Sequence, residues 1–248
     1  MPYLFNQKLI IAHRGARRTA HENTYEAFQK AIECGADMIE CDVRSAKDGT
    51  HFLHHSPKVG TKLISATSFT ELQKHAQQCG YILLTLTDAL VFFGTRIAFD
   101  FELKEKPYAF DIVHEICARM GSEKCVITSF DASVIHTVKK NFPLLSAGLI
   151  TPHPFKNKIS RTHAGDFLVL HWMEAVPFLV VQKLSPRVPC IIYTVNNPLL
   201  AKKFLALPFV AGIITDLPER IKILSTVCLM SLVNCFSIIL LISSRCSY

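Results

Sequence analysis

The 248-residue sequence contains no CxxC pair and no regular cysteine spacing, although it has nine cysteines. Most of them lie inside apolar runs, where cysteine usually behaves as a small hydrophobic residue. An odd number of cysteines without the spacing of a disulfide framework argues against a small secreted domain held together by disulfides. It favours a protein of a reducing compartment.

The sequence also has no block of lysine and arginine, so its net charge of +7 is spread along the chain. Nucleic-acid binding is therefore not expected, whereas anionic small molecules and membrane surfaces are compatible partners. The first 15 residues have no positively charged segment before their short apolar run, and they lack a cleavage site. We expect a strand there and no secretory signal, which predicts a cytoplasmic protein.

Strand-like and helical patterns alternate along the chain, and no long repeat or low-complexity linker interrupts them. Strands are predicted at 9–12, 38–43, 51–53, 97–103, 125–130, 147–150, 167–170, 190–195 and 212–215. Helices are predicted at 23–34, 69–78, 85–90, 110–120 and 133–140. This alternation predicts an α/β fold with a parallel sheet, and the most economical form is a TIM (β/α)8 barrel. One of the nine strands is then an accessory strand.

Polar residues end several of the predicted strands. In a parallel barrel the C-terminal strand ends meet at one rim, where TIM-barrel active sites lie. The residues expected at this rim are His13, Arg14, Glu40, Asp42, His54, Glu102, Lys104, Ser129 and Asn196. Because independent strands supply them, the whole set predicts an active site more strongly than any single motif.

The segment 35–55, GADMIECDVRSAKDGTHFLHH, contains the densest part of this set. Glu40 and Asp42 are two positions apart in a predicted strand, so both side chains point to the same face. Two carboxylates this close repel each other unless a cation lies between them. The Asp-Gly pair that follows favours a short β-hairpin insertion after the second strand, which returns His54 and His55 beside the carboxylates. Carboxylates with imidazole are typical of metal-assisted acid–base chemistry.

Several short blocks resemble the glycerophosphodiester phosphodiesterase family, a group of TIM barrels. They are AHRG at 12–15, ENT at 22–24, GADMIECDV at 35–43, KDGTHFLHH at 47–55, LTDAL at 86–90, FELK at 101–104, ITSF at 127–130, YTVN at 193–196 and GIITDLP at 212–218. One block alone is a weak signal, but the set in family order is specific. The resemblance covers residues 9–218 and implies one barrel domain over residues 1–220.

The resemblance implies a metal-dependent phosphodiesterase. Glu40, Asp42 and Glu102 match the family's metal ligands, and three oxygen donors suit Mg²⁺ or Ca²⁺. The implied substrate is a glycerophosphodiester or a lysophospholipid. The implied reaction is hydrolysis of the diester to glycerol 3-phosphate and an alcohol, by attack of a neighbouring glycerol hydroxyl or of water at phosphorus.

Four further residues match functional positions of the family. His13 and His54 match its paired general acid and base, a role that suits imidazole because its usual pKa, about 6.5, is close to working pH. Arg14 and Lys104 match cationic positions that meet the substrate phosphate and offset charge on its oxygens.

The main departure from the family is His55, because an aspartate usually follows the catalytic histidine there. A second imidazole can hydrogen-bond, but it supplies no fixed negative charge beside His54. One alternative is therefore a catalytically impaired barrel that binds phosphodiesters. A second alternative is a lysophospholipase D-type activity at a membrane, which the uncharged run near the C-terminus suggests.

Three further acidic residues have simpler interpretations. Glu22 is expected to make structural hydrogen bonds, because buried polar groups need partners. Asp216 is expected to cap the last helix, since Pro218 follows it closely. Asp100 alternates with the phenylalanines of its strand and is assigned no role.

Residues 223–244 form an uncharged run, ILSTVCLMSLVNCFSIILLISS. At about 1.5 Å per residue, a helix of this length would span a hydrocarbon core of about 30 Å. We therefore divide the chain into the barrel and a hydrophobic tail over residues 221–248, which is a candidate membrane anchor. The alternative is a helix that packs on the barrel or forms an oligomer contact.

Overall fold

The computed structural model describes residues 7–151, 165–175 and 188–222. The strands in these ranges are β1 (Leu9–His13), β2 (Met38–Ser45), β3 (His51–Leu53), β4 (Lys58–Val59), β5 (Lys62–Leu63), β6 (Ala98–Leu103), β7 (Cys125–Ser129), β8 (Ser146–Thr151), β9 (Phe167–His171), β10 (Cys190–Tyr193) and β11 (Val210–Thr215). The helices are α1 (Tyr25–Glu33), α2 (Phe69–Gln78), α3 (Leu86–Phe93), α4 (Ala109–Met120), α5 (Ala132–Asn141) and α6 (Pro198–Leu205).

Eight of these strands form a closed parallel barrel. From β1, the order of hydrogen-bonded neighbours is β11, β10, β9, β8, β7, β6 and β2, and β2 pairs back with β1. The two closing pairs align Leu9 with Gly212 and Ile11 with Met38. The prediction of a TIM (β/α)8 barrel is therefore confirmed, and the C-terminal ends of its strands share one rim.

The accessory strand is β3, which lies outside the barrel as an antiparallel partner of β2. It pairs Leu53 with Val43 and His51 with Ser45. The connecting turn contains Gly49 at a φ of 83°, a left-handed conformation that glycine adopts without strain. This is the predicted hairpin insertion. A second antiparallel pair, β4 with β5, follows it and was not predicted, because each strand has only two residues.

Side chains of the barrel strands alternate between the barrel interior and the surrounding helices. The interior near the N-terminal strand ends holds an apolar cluster that includes Leu9, Ile11, Met38 and Phe167. The outer side packs against α1, α3, α4, α5 and α6. The core therefore has one apolar layer inside the barrel and one between strands and helices, and α2 packs in a separate apolar cluster with β3 and β4.

The inward-facing side chains of β2 and β6 change from apolar to acidic toward the rim. Along β2 the series is Met38, Glu40 and Asp42, and along β6 it is Ala98, Asp100 and Glu102. The two strands pair in register, with Glu40 opposite Asp100 and Asp42 opposite Glu102. Four carboxyl groups therefore enter the barrel from adjacent strands.

Helix boundaries follow capping residues. The helix predicted at 23–34 begins at Tyr25, because the side chain of Thr24 accepts a hydrogen bond from Ala27 N. Helix α6 was not predicted, although Asn197 caps its first turn and Pro198 occupies its first position.

No helix within residues 7–151, 165–175 and 188–222 is long and apolar enough to cross a membrane. The hydrophobic run at 223–244 lies outside the described residues, so the membrane anchor stays a prediction. The six cysteines in the described part of the chain are free thiols.

Candidate active site

A cavity of about 270 Å³ opens at the C-terminal rim of the barrel. Its lining is His13, Arg14, Glu40, His55, Asp100, Glu102, Thr128, Phe130, Ile150, Val169, Tyr193, Thr194 and Ile214. Strands from all around the barrel contribute to this list. Of the residues predicted at the rim, His13, Arg14, Glu40 and Glu102 line this cavity, which has an acidic wall and an apolar wall.

The three carboxylates predicted as metal ligands lie together. Glu40, Asp42 and Glu102 each offer one oxygen atom, and these atoms lie within 4.8 Å of one another. All three residues are buried. The in-register pairing of β2 with β6 explains the arrangement, because it sets Asp42 beside Glu102 and Glu40 one layer below.

Two cationic side chains flank Asp42. Lys104 Nζ lies 2.7 Å from Asp42 Oδ1 and also donates to Glu102, so its ammonium group bridges two of the three carboxylates. Arg14 Nε lies 3.1 Å from Asp42 Oδ2. Burial alone would raise the pKa of Asp42, but Lys104 and Arg14 lower it to about 2. Asp42 is therefore ionised at neutral pH.

The pKa values of Glu40 and Glu102 shift in the opposite direction, upward. Burial raises the pKa of Glu40 well above its usual value, and the charges of Asp42 and Glu102 add to the effect. Burial also raises the pKa of Glu102, although Lys104 opposes the shift. Three carboxyl groups thus share the site with two cationic side chains, Arg14 and Lys104. Oxygen donors buried at this spacing fit a hard divalent cation such as Mg²⁺ or Ca²⁺.

The AHRG block forms the turn that ends β1. Arg14 and Gly15 have φ values of 56° and 84°, both left-handed. A Cβ atom at Gly15 would lie 2.7 Å from the carbonyl carbon of Ala27, so the position requires glycine. The turn directs Arg14 N toward Glu40 Oε2, to which it donates at 3.0 Å.

Glu22 fixes Arg14 on its other side, because the two carboxylate oxygens of Glu22 lie 2.9 and 3.1 Å from Arg14 Nη1. Arg17 adds a second ion pair to Glu22, at 3.3 Å. Glu22 is thus a structural partner of two arginines, in agreement with its predicted role. The neighbouring Asn23 binds Asp42, because its Nδ2 donates to Asp42 Oδ2 at 2.9 Å. The ENT block alone indicated no function for Asn23.

His13 has a carboxylate partner that was not predicted from the sequence. Its Nδ1 lies 2.7 Å from Asp216 Oδ1, and its Nε2 lies 4.0 Å from Glu40 Oε2. Asn196 donates to Asp216 Oδ2 at 2.8 Å. Burial would raise the pKa of Asp216, but its bonds with His13 and Asn196 lower it to about 2. The last helix begins at Pro218, and within the described residues none of its backbone N–H groups donates to Asp216, so the expectation that Asp216 caps this helix was wrong.

The consecutive histidines His54 and His55 face different cavities. His54 Nε2 donates to the carbonyl oxygen of Lys58 at 2.9 Å, and the ring lines a neighbouring pocket with Glu22 and Tyr81. His55 lines the main cavity, and burial lowers its pKa to about 4. The assignment of His54 as the second acid–base group stays a prediction.

Residues 13–220 match the pattern of the glycerophosphoryl diester phosphodiesterase family. The chain is 27% identical over 233 residues to a glycerophosphodiester phosphodiesterase of Caldanaerobacter subterraneus subsp. tengcongensis, a match that covers 86% of this chain and 96% of the relative. An Oleispira antarctica phosphodiesterase solved in complex with the product sn-glycerol-3-phosphate superposes with a TM-score of 0.74 at 20% identity, covering 87% of this chain and 96% of that one. A glycerophosphodiester phosphodiesterase of Thermotoga maritima gives a TM-score of 0.72 at 23% identity, with 88% and 99% covered. The two structural likenesses agree with the barrel fold.

Proposed function

Because the chain belongs to the glycerophosphoryl diester phosphodiesterase family, we propose that it hydrolyses glycerophosphodiesters to glycerol 3-phosphate and an alcohol. The protein is accordingly a phosphoric diester hydrolase. The observation that carries the proposal is the convergence of Glu40, Asp42 and Glu102 with Arg14 and Lys104 at the C-terminal rim of the barrel. A phosphodiester is an anion, and these groups supply both a cation site and two fixed positive charges.

Glu40, Asp42 and Glu102 would hold the divalent cation, Mg²⁺ or Ca²⁺. When bound, the cation would act as a Lewis acid that offsets the charge on the phosphoryl oxygens. Arg14 and Lys104 hold the diester by charge-assisted hydrogen bonds. Both side chains are already held in place by carboxylates, which limits the entropy lost when the substrate binds.

The proton transfers are assigned to His13 and His54. At phosphorus, a bond forms to water or to the neighbouring glycerol hydroxyl, and the bond to the departing alcohol breaks. Where the glycerol hydroxyl attacks, the product is a cyclic phosphate, which water then opens to glycerol 3-phosphate. One imidazole takes the proton of the attacking oxygen, and the other gives a proton to the leaving oxygen. Asp216 orients His13, because a carboxylate on Nδ1 keeps the proton there and leaves Nε2 available. His54 donates through Nε2 to Lys58, so Nδ1 is its available nitrogen.

The proposal is tested by assaying the full chain with glycerophosphocholine and measuring release of glycerol 3-phosphate. We expect turnover with Mg²⁺ or Ca²⁺ and its loss with EDTA. Glu102→Gln should lose metal affinity and activity together. Glu71→Gln, on the exposed side of α2, is the matched control and should keep both.

Binding of glycerol 3-phosphate without turnover of any diester would support the impaired barrel instead. Turnover that resists EDTA would refute the metal assignment. Lysophosphatidylcholine serves as a second substrate, because lysophospholipase D-type activity at a membrane stays a prediction. The cytoplasmic location likewise stays a prediction. Carbonate extraction of membranes tests the anchor, because release of the chain would exclude a spanning tail.

A further inference from the structure

Asp100 is a buried acid at the cavity that the proposed chemistry does not use. It lies on β6 two residues before Glu102, on the same inward face, and it is 1% exposed. Two residues of a strand span about 6.6 Å along its length, so Asp100 lies deeper in the barrel than Glu102, at the level of Glu40. It lines the same cavity as Glu40 and Glu102.

The two oxygens of Asp100 differ in their surroundings. Oδ1 accepts a hydrogen bond from Thr128 Oγ1 at 2.6 Å. Oδ2 is buried and has no hydrogen-bond partner within the part of the chain that the structure describes. A buried carboxyl oxygen without a partner is costly and rare in native proteins. Its place at a cavity wall points to a ligand group as the missing partner.

The wall of the cavity that faces Asp100 is apolar. Ile150, Val169 and Ile214 line it from the opposite strands β8, β9 and β11. A group that fits here has a carbon skeleton against the apolar wall and one polar atom toward Oδ2. A hydroxyl is such a group, because it both donates and accepts and therefore pairs with the acid in either protonation state.

A metal ion explains Asp100 less well. The three carboxylates whose oxygens lie within 4.8 Å of one another are Glu40, Asp42 and Glu102, and Asp100 is not among them. One of its oxygens is also committed to Thr128. An apolar wall offers a cation no further ligands, whereas it suits the carbons of a small polyol.

We propose that Asp100 binds the terminal hydroxyl of the substrate's glycerol group and so selects glycerol diesters. This inference rests on the proposed function and adds the orientation of the substrate. The glycerol end enters the barrel toward Asp100, the phosphate stays beside Arg14 and Lys104, and the variable alcohol lies at the rim. The hydroxyl next to the phosphate remains free to attack phosphorus.

The test compares two substrates that differ by one oxygen. One is glycerophosphocholine, and the other is the phosphocholine diester of propane-1,2-diol, which lacks only the terminal hydroxyl. The wild type should prefer the first by about 100-fold or more in kcat/KM, because a site built to bind a hydroxyl rejects an analogue without it. Metal affinity is measured for each variant by calorimetry.

Asp100→Leu should lower kcat/KM for glycerophosphocholine by about 30-fold or more and change it less than threefold for the propanediol diester. Asp100→Asn, which keeps the shape and the Thr128 bond, should lower only the first value by about fivefold, since a neutral hydrogen bond is weaker. Thr128→Val is the matched control, because it removes the bond to Oδ1 and should affect both substrates alike.

Equal losses on both substrates in Asp100→Asn, which should fold normally, would overturn the inference and leave a structural role. Weaker metal binding in either Asp100 variant would overturn it in favour of a metal ligand. If the wild type hydrolyses neither diester, the proposed function fails. If it hydrolyses both equally well, the inference alone fails.

Discussion

Asp216 Oδ1 lies 2.7 Å from His13 Nδ1, although 203 positions separate the two residues in the chain. The contact exists because β11 is the hydrogen-bonded neighbour of β1, so that the residue after one strand meets the last residue of the other. A carboxylate on Nδ1 fixes the proton on that nitrogen and turns Nε2 toward the cavity. Asp216 is thus a positioning residue for His13.

Asp216→Asn should lower kcat by about 100-fold with a small change in KM, because the amide no longer selects the tautomer that leaves Nε2 available. Steady-state kinetics with glycerophosphocholine check this split between kcat and KM. Asp111→Asn, on an exposed face of α4, is the control and should behave as wild type. A rise in KM alone would point to a substrate contact instead.

The stability of the protein should also depend on Asp216 at acid pH. Its folded pKa of about 2 is below its usual value of 3.8, so its charge stabilises the fold above pH 4. That contribution is lost as pH falls through 2. Asp216→Asn should therefore lose less stability than wild type between pH 5 and pH 2.5. The difference should be about 1 kcal/mol in urea unfolding, because solvent screens part of the interaction. Identical pH slopes would contradict the assigned interaction.

His54→Ala should lower kcat/KM by 100-fold or more, since a lost acid–base group usually costs about 100- to 10,000-fold. His55→Ala should cost less than about tenfold, and His136→Ala on the exposed face of α5 should cost nothing. Measuring kcat/KM of the three variants at one pH shows which histidine is the acid–base group. The reverse order for the first two would move the role to His55, whose ring lines the main cavity.

Lys104→Met should separate metal binding from catalysis. The ammonium group bridges Asp42 and Glu102, so its removal leaves these carboxylates free for the cation and should tighten metal binding about tenfold. The phosphate loses a positive partner at the same time, so kcat/KM should fall by about 100-fold or more. Calorimetry and kinetics are compared with those of Lys106→Met, an exposed control. Weaker metal binding in Lys104→Met would contradict this account.

Gly15→Ala should destabilise the fold far more than Gly49→Ala. Both residues have φ values near 84°, so both substitutions add a similar backbone strain of about 1 kcal/mol. Only at Gly15 does the new Cβ meet backbone atoms, because nothing lies within 4 Å of the corresponding position at Gly49. We expect a further loss of at least about 2 kcal/mol at Gly15, measured by denaturant unfolding. Equal losses of stability at the two positions would show that the backbone around Gly15 can move to accommodate the new Cβ atom.

Most of the barrel was predictable because local signals repeat in it. Apolar runs marked eight parallel strands, and the Asp-Gly turn marked the hairpin of β2 with β3. The strands β4 and β5 were missed because two residues give no periodicity. Helix α6 was missed although its Asn-Pro start was present in the sequence.

The positions of site residues at strand ends were predictable. The orientations of side chains on the loops that follow the strands were less predictable. The i, i+2 spacing placed Glu40 beside Asp42, and the strand series placed Glu102 near them. Asp216 and its contact with His13 follow only from barrel closure, which no local pattern encodes. The different orientations of His54 and His55 depend on the loop geometry after β3, so the sequence pattern did not predict them either.

The pairing of β1 with β11 also has a consequence for synthesis on the ribosome. One edge of β1 stays without its final partner until the chain has been made through Thr215. Until then β1 presents unpaired backbone groups that other chains could bind. The contacts that close the barrel have a long sequence separation, which slows folding. Chaperone binding to nascent chains should therefore persist until β11 has emerged, and a chain truncated before Val210 should aggregate.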